Sequence, residues 1–183
     1  MRNHAYLCTV KQKLETIKIE KVMESIITIA TVLTMYFNAA NDVNAPYMYN
    51  SDLEDGVIHK IEVYEQKAGD QMAAKMEYRY SYDEQGRLTA REVMRWDAGK
   101  NDWVNDFRHV YRYYKNGYNV ETSKWDVEAQ AYDIPAEVTL YREIAPSVTS
   151  VKTFKMNDAK DDMYLSDRMV VMEPISSNLL AKR

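Results

Sequence analysis

Met72-Ala-Ala-Lys-Met-Glu-Tyr-Arg-Tyr-Ser-Tyr-Asp-Glu-Gln-Gly86 decides the fold. Met72, Ala74, Met76, Tyr78, Tyr80 and Tyr82 alternate with Lys75, Glu77, Arg79 and Ser81. A period of two places one set on each face of a β-strand. Asp83-Glu84-Gln85-Gly86 then predicts a turn, because Asp accepts downstream backbone amides and Gly supplies a positive φ. The chain returns with Leu88, Ala90, Met94 and Trp96 expected on one face.

Working outward, the same rhythm continues. Val57, His59, Ile61 and Val63 predict one face of a preceding strand. Beyond the turn at residues 98–102, Trp103, Phe107, His109, Tyr111 and Tyr113 predict one face of a following strand. Asn116-Gly117 is a hairpin signal. A last strand is expected over Tyr132, Ile134, Ala136, Val138 and Leu140, demoted to a sheet edge by Pro135. The pattern also repeats. Tyr80-Ser-Tyr82-Asp-Glu-Gln-Gly86 is echoed by Tyr111-Arg-Tyr113-Tyr-Lys-Asn-Gly117, and Trp96-Asp97 with Trp103 by Trp125-Asp126 with Tyr132. One hairpin is marginal alone, so neighbours must share a buried face. The expectation is an all-β fold: an antiparallel meander of about six strands built from Tyr/Trp-rich hairpins, after an N-terminal signal helix.

The chain has 183 residues, a one-domain length, with 15 Tyr against 5 Gly and 4 Pro; such aromatic enrichment suits strands. The formal net charge is −4. No basic stripe is present, which argues against nucleic acid and anionic membrane surfaces as partners. The single cysteine, Cys8, precedes the apolar run, so the rest of the chain has neither a disulfide framework nor a Cys-based zinc site.

That apolar run, Ser25 to Phe37, is uncharged. Lys11, Lys13, Lys18 and Lys21 precede it and Asn38-Ala39-Ala40 follows, the order of a secretory signal. Cleavage is expected after Ala40, with Ala45 as a fallback, and the product would be periplasmic or extracellular. An uncleaved anchor, the only membrane contact expected, and a buried amphipathic helix are the alternatives; the run is short for a span of around 20 residues. The chain therefore divides into an N-terminal extension and signal over 1–40, a β-meander domain over 41–145 and a tail over 146–183. In the tail Val148–Phe154 and Tyr164–Met172 are candidate strands around a polar break at Asn157–Asp162, and Ser176–Arg183 reads as disordered.

The chain resembles a known family along this meander. The residues that carry the likeness are Ala45-Pro-Tyr-Met-Tyr49, Asp55-Gly-Val-Ile58, Tyr78-Arg-Tyr-Ser-Tyr-Asp-Glu-Gln-Gly-Arg-Leu88, Arg95-Trp-Asp97, Trp103, Trp125-Asp126 and Ile134-Pro-Ala136. In their order and spacing they resemble an uncharacterised family of small secreted proteins from Bacteroides-type bacteria, domain of unknown function family 3836. The resemblance covers residues 45–140 and implies export and a β fold; no activity carries over with it.

Chemistry is sparse. His59 and His109 alternate with apolar neighbours and have no nucleophile motif beside them. Asp97 and Asp126 recur after Trp, the strongest carboxylate pair for glycoside hydrolysis, yet Asp at a strand end entering a turn is expected for local hydrogen bonding. Asp97, Asn101 and Asp102 supply oxygens suited to calcium but miss the EF-hand spacing. No cofactor pattern is present. Trp96, Trp103 and Trp125 remain as candidate ligand-binding residues, set against the reading that they are cross-strand pairs worth about 0.2–1 kcal/mol each. The leading expectation is an exported non-enzymatic protein that binds glycan or another envelope protein. A glycan hydrolase using Asp carboxylates is the alternative, and strand addition at the Pro135 edge or the first strand a third reading.

Overall fold

The computed structural model describes residues 26–42, 46–67 and 71–172. The basic stretch before the apolar run, Cys8, Ala45 and the Ser176–Arg183 end lie outside those residues. One helix, α1 (Ile29–Ala40), precedes ten strands: β1 (Tyr47–Glu54), β2 (Val57–Lys67), β3 (Gln71–Tyr82), β4 (Leu88–Asp97), β5 (Asp102–Tyr114), β6 (Gly117–Asp126), β7 (Ala131–Tyr132), β8 (Glu137–Ala145), β9 (Val148–Met156) and β10 (Met163–Met172). Nine strands form one antiparallel meander in chain order, and β7 pairs separately with the end of β6.

The all-β antiparallel expectation holds, but the strand number was expected too low, at six. Of the additional strands, β9 and β10 match the candidates at Val148–Phe154 and Tyr164–Met172, while β1 and β7 were not expected. β1 and β10 are the sheet edges, and β10 is exposed along almost its whole length, so burial imposes no alternation on it. β7 is only two residues long. The Pro135 strand is not an edge: Pro135 falls between β7 and β8, and β8 lies between β6 and β9. The ring thus occupies a link where no ladder hydrogen bond is asked of it.

Turn chemistry follows the sequence closely. Asp83 Oδ1 accepts from the amides of Gln85 (3.0 Å) and Arg87 (2.9 Å), and Gly86 takes φ +70°. After each Trp-Asp pair the Asp Oδ1 accepts two amides in the turn. For Asp97 these come from Gly99 and Lys100 (2.9 and 3.2 Å); for Asp126, from Glu128 and Ala129 (2.8 and 3.0 Å). Each turn ends in a positive-φ residue, Asn101 or Gln130.

Register shifts decide which face each side chain joins, since one extra residue flips everything after it. Shifts on β2, β3, β4 and β5 break the faces expected from simple alternation. Ile58, not His59, joins Ile61 and Val63 in the core. Ala74 pairs with Tyr64 while Met76 pairs with Val63, so Met72 and Ala74 leave the tyrosine face. Leu88 pairs with Tyr82 but Ala90 with Ser81, which separates Leu88 from Ala90, Met94 and Trp96. Trp103 pairs with Trp96, and Phe107 with Val93, on opposite faces.

The result is a sheet with two unlike faces. The helix face carries Ile58, Ile61, Val63, Leu88, Tyr111 and Tyr118, with Val32 of α1 packed into them. Fully burying such aliphatic side chains stabilises by about 1.5–3 kcal/mol each. The outer face carries ion pairs such as Arg79–Glu77 (2.6 Å) and Arg112–Glu121 (2.7 Å).

Backbone contacts anchor α1. Thr28 caps it in a capping box with Thr31. Ile29 N donates to Gly86 O (3.0 Å), and Leu88 N to Ile27 O (2.8 Å), so the segment adds to the β3–β4 turn before the helix begins. Among the described residues no helix is long and apolar enough to cross a membrane.

Candidate functional site

The structure brings Trp96, Trp103 and Trp125 onto the outer face, as parts of two separate pairs. Trp96 and Trp103 meet edge-to-face across β4 and β5, with ring centroids 5.2 Å apart at 74°. Trp125 meets Tyr132 across β6 and β7 in the same manner, at 4.9 Å and 77°. This is the favoured aromatic geometry, and each pair contributes about 0.5–1.5 kcal/mol beyond its buried area. Tyr132 in turn lies under the Arg108 guanidinium at 4.4 Å. Burial, and then the nearby charge of Glu92, push its hydroxyl up to about 12. The rings therefore spend much of their surface on one another.

The polar candidates are equally occupied. Asp97 and Asp126 hold their own turns, as described above. Asp102 Oδ1 accepts from the adjacent Trp103 amide (2.7 Å). Among the described residues no three His, Cys, Asp or Glu side chains gather closely enough to hold a metal ion. His59 is exposed and packs edge-on to Tyr82. His109 lies on the helix face, with Nδ1 3.0 Å from Thr122 Oγ1 and its ring edge-on to Phe107. Burial, and then the positive charge of Arg91, lower it to about 4, so it is neutral at physiological pH.

A cavity lies elsewhere, between α1 and the sheet. It measures about 220 Å³. Val32, Met35, Tyr36 and Ala39 close it from the helix, while Tyr49, Tyr78, Tyr80 and Tyr111 line it from the sheet. Alternation on β1, β3 and β5 places these four tyrosines on one face. Burial raises the Tyr80 hydroxyl well above the ordinary tyrosine range and shifts that of Tyr111 upward. Both stay protonated and act as neutral donors and acceptors.

Arg91 is the charged residue of this lining. It pairs across strands with Tyr80 on one side and His109 on the other, and its guanidinium lies 5.7 Å from the Tyr78 ring centroid. Sequence reasoning missed it, because unbroken alternation from Leu88 puts Arg91 on the solvent face. The register shift at Ser81–Tyr82 turns it inward. A signal was present in the Leu88-Thr-Ala-Arg91 spacing: only a bulge lets Leu88 pack beside Tyr82 while Ala90 faces away.

A family model described as "Family of unknown function (DUF3836)" matches residues 15–143. Among solved structures, a protein with unknown function from Bacteroides fragilis is 24% identical with a TM-score of 0.62; the match covers 74% of this chain and 97% of that one. A DUF3836 family protein from Bacteroides vulgatus is 24% identical with a TM-score of 0.50, covering 52% of this chain and 98% of that one. These likenesses speak to the fold. No curated protein matches.

Proposed function

The chain belongs to the DUF3836 family of unknown function, and from that membership and the geometry of the helix face we propose that it is an exported, non-enzymatic binding protein. Its binding surface is the tyrosine-lined groove on which α1 lies. The observation that carries this reading is the cavity of about 220 Å³, walled by aromatic and aliphatic side chains with a few polar groups turned inward. That is the usual make-up of a small-molecule site.

Export is supported by the order of basic residues, apolar run and small residues ending at Ala40. The apolar run overlaps α1, so the segment that reads as a signal also covers the groove. Its Val32, Met35 and Tyr36 side chains mark the kind of chemistry the groove accepts. The form that binds is the one that keeps α1, since Val32, Met35 and Tyr36 wall the cavity.

A second reading, glycan stacking on the outer face, is favoured by one observation: both aromatic pairs stand on that face. The repeated Trp-Asp hairpins would then be the units of a platform. The hydrolase alternative finds less support, since Asp97 and Asp126 already accept turn amides.

The test is a titration of the neutral apolar fluorophore N-phenylnaphthylamine into the protein recovered from the periplasmic fraction of an exporting bacterium. Saturable binding is expected, weakened about fivefold or more in Tyr80→Ala and unchanged in Trp96→Ala, a difference of roughly 1 kcal/mol. Absence from that fraction would overturn export. Absence of binding by the folded wild type would overturn the groove as a ligand site.

A further inference from the structure

Resting on the reading of the helix face as a ligand groove, we infer that its ligand is a slender amphiphile, an alkyl chain ended by a carboxylate, and that Arg91 selects the head group. Arg91 Nε is buried and has no hydrogen-bond partner. Among the described residues, Arg79, Arg87, Arg95 and Arg112 each pair with a carboxylate; Arg91, Arg108, Arg142 and Arg168 do not, and of these four Arg91 lines the cavity. A guanidinium N–H withdrawn from water and left without an acceptor is costly. A carboxylate arriving with the ligand supplies the missing acceptor in the planar, two-pronged geometry that arginine matches.

The surroundings narrow the choice of head. Tyr80 stands directly across from Arg91 and Tyr111 lines the same cavity, and neither hydroxyl has a hydrogen-bond partner among the described residues. Both are free to donate to an anion held by Arg91. No second lysine or arginine lines the cavity, so a singly charged carboxylate is matched better than a phosphate dianion. His109, on the other side of Arg91, is neutral and adds no positive charge.

The cavity narrows the choice of tail. Its volume is below the roughly 300–1,000 Å³ typical of drug-sized ligand sites, and its walls are Val32, Met35, Tyr49, Ile61 and Leu88. A single alkyl chain fits this space better than a broad ring system. The apolar walls favour burial of each methylene.

The experiment compares decanoate, decanol and decyl phosphate as competitors of N-phenylnaphthylamine on the full protein and on Arg91→Gln. Decanoate is expected to compete about tenfold or more better than decanol, matching a hydrogen-bonded charge. Arg91→Gln should abolish that preference while leaving decanol unchanged. Equal competition by decanoate and decanol, a tighter fit of decyl phosphate, or a preference that survives Arg91→Gln would overturn the inference while the groove reading stands. Failure of the fluorophore itself to bind would remove both. Should Arg91→Gln fail to fold, the three ligands on the wild type decide the matter, with Arg91→Lys expected to keep only part of the preference.

Discussion

Gly117→Ala should lower the thermal midpoint by about 10 °C or more, or prevent accumulation of folded protein altogether. Gly117 opens β6 at φ +143°, a conformation that side-chain-bearing residues rarely adopt. A Cβ there would sit 1.9 Å from the Tyr141 carbonyl oxygen and 2.9 Å from its carbon. Those atoms belong to the backbone of β8, which is hydrogen-bonded to β6 and β9 and has no rotamer through which to yield. Strain and steric overlap together cost about 3–5 kcal/mol, and about 1 kcal/mol moves the midpoint by 2–4 °C in a chain of this size. Gly56→Ala is the control. Its φ is also positive, but a Cβ there meets open space, so the expected loss is only about 1 kcal/mol. Calorimetry of the two variants checks both statements; equal midpoints would mean that β8 does not approach Gly117 as described.

Raising the pH from 10 to 12 should unfold the protein in one cooperative step. The helix face carries a ladder of buried and half-buried tyrosines. Burial pushes Tyr82 and Tyr113 up to about 12 and raises Tyr78, Tyr80, Tyr111, Tyr118 and Tyr141 as well. The Tyr82 hydroxyl donates to Ile58 O (2.9 Å), and the Tyr113 hydroxyl lies 2.8 Å from Leu88 O and 3.1 Å from Ile27 O. Those bonds need the proton. In the unfolded chain a tyrosine loses its proton near pH 10. The stability these groups contribute is therefore full below pH 10 and is lost as pH rises through their folded values. Seven such groups act together against the roughly 5–15 kcal/mol that holds a typical domain together. Phenolate absorbance and far-ultraviolet circular dichroism should change together in a single steep transition. A gradual phenolate titration centred near pH 10, with the dichroism unchanged, would show that the tyrosines face solvent.

Much of this architecture is legible in the residues. The alternation from Met76 to Tyr82, the Asp83–Gly86 and Asn116-Gly117 turns, and the candidate strands at Val148–Phe154 and Tyr164–Met172 all correspond to elements of the sheet. What escaped has one main cause. A bulge costs one residue and leaves no mark on composition, yet it reverses the face of every side chain beyond it. Simple alternation therefore groups Trp103 with Tyr111 and puts Arg91 on the face opposite Leu88, whereas the bulges set Trp103 on the outer face and Arg91 on the helix face. The edge is a second cause, since β1 has a strand partner on one side only and so carries a weaker pattern in the sequence. α1 illustrates a third. An uncharged apolar run of a dozen residues satisfies an export signal and also satisfies a helix lying on an apolar sheet, and no residue in it separates the two. The tryptophans are the most conspicuous residues of the sequence, and the structure sets them in edge-to-face pairs; the cavity-lining tyrosines are hidden by their number.

The central claim is that ligand binds on the helix face. A photoreactive alkyl diazirine, cross-linked to the protein and mapped by mass spectrometry of peptides, tests it most directly. The label should fall on the β3 and β5 segments around Tyr78, Tyr80 and Tyr111, and N-phenylnaphthylamine should displace it. Label concentrated around Trp96, Trp103 and Trp125, or spread without competition over both faces, would contradict it.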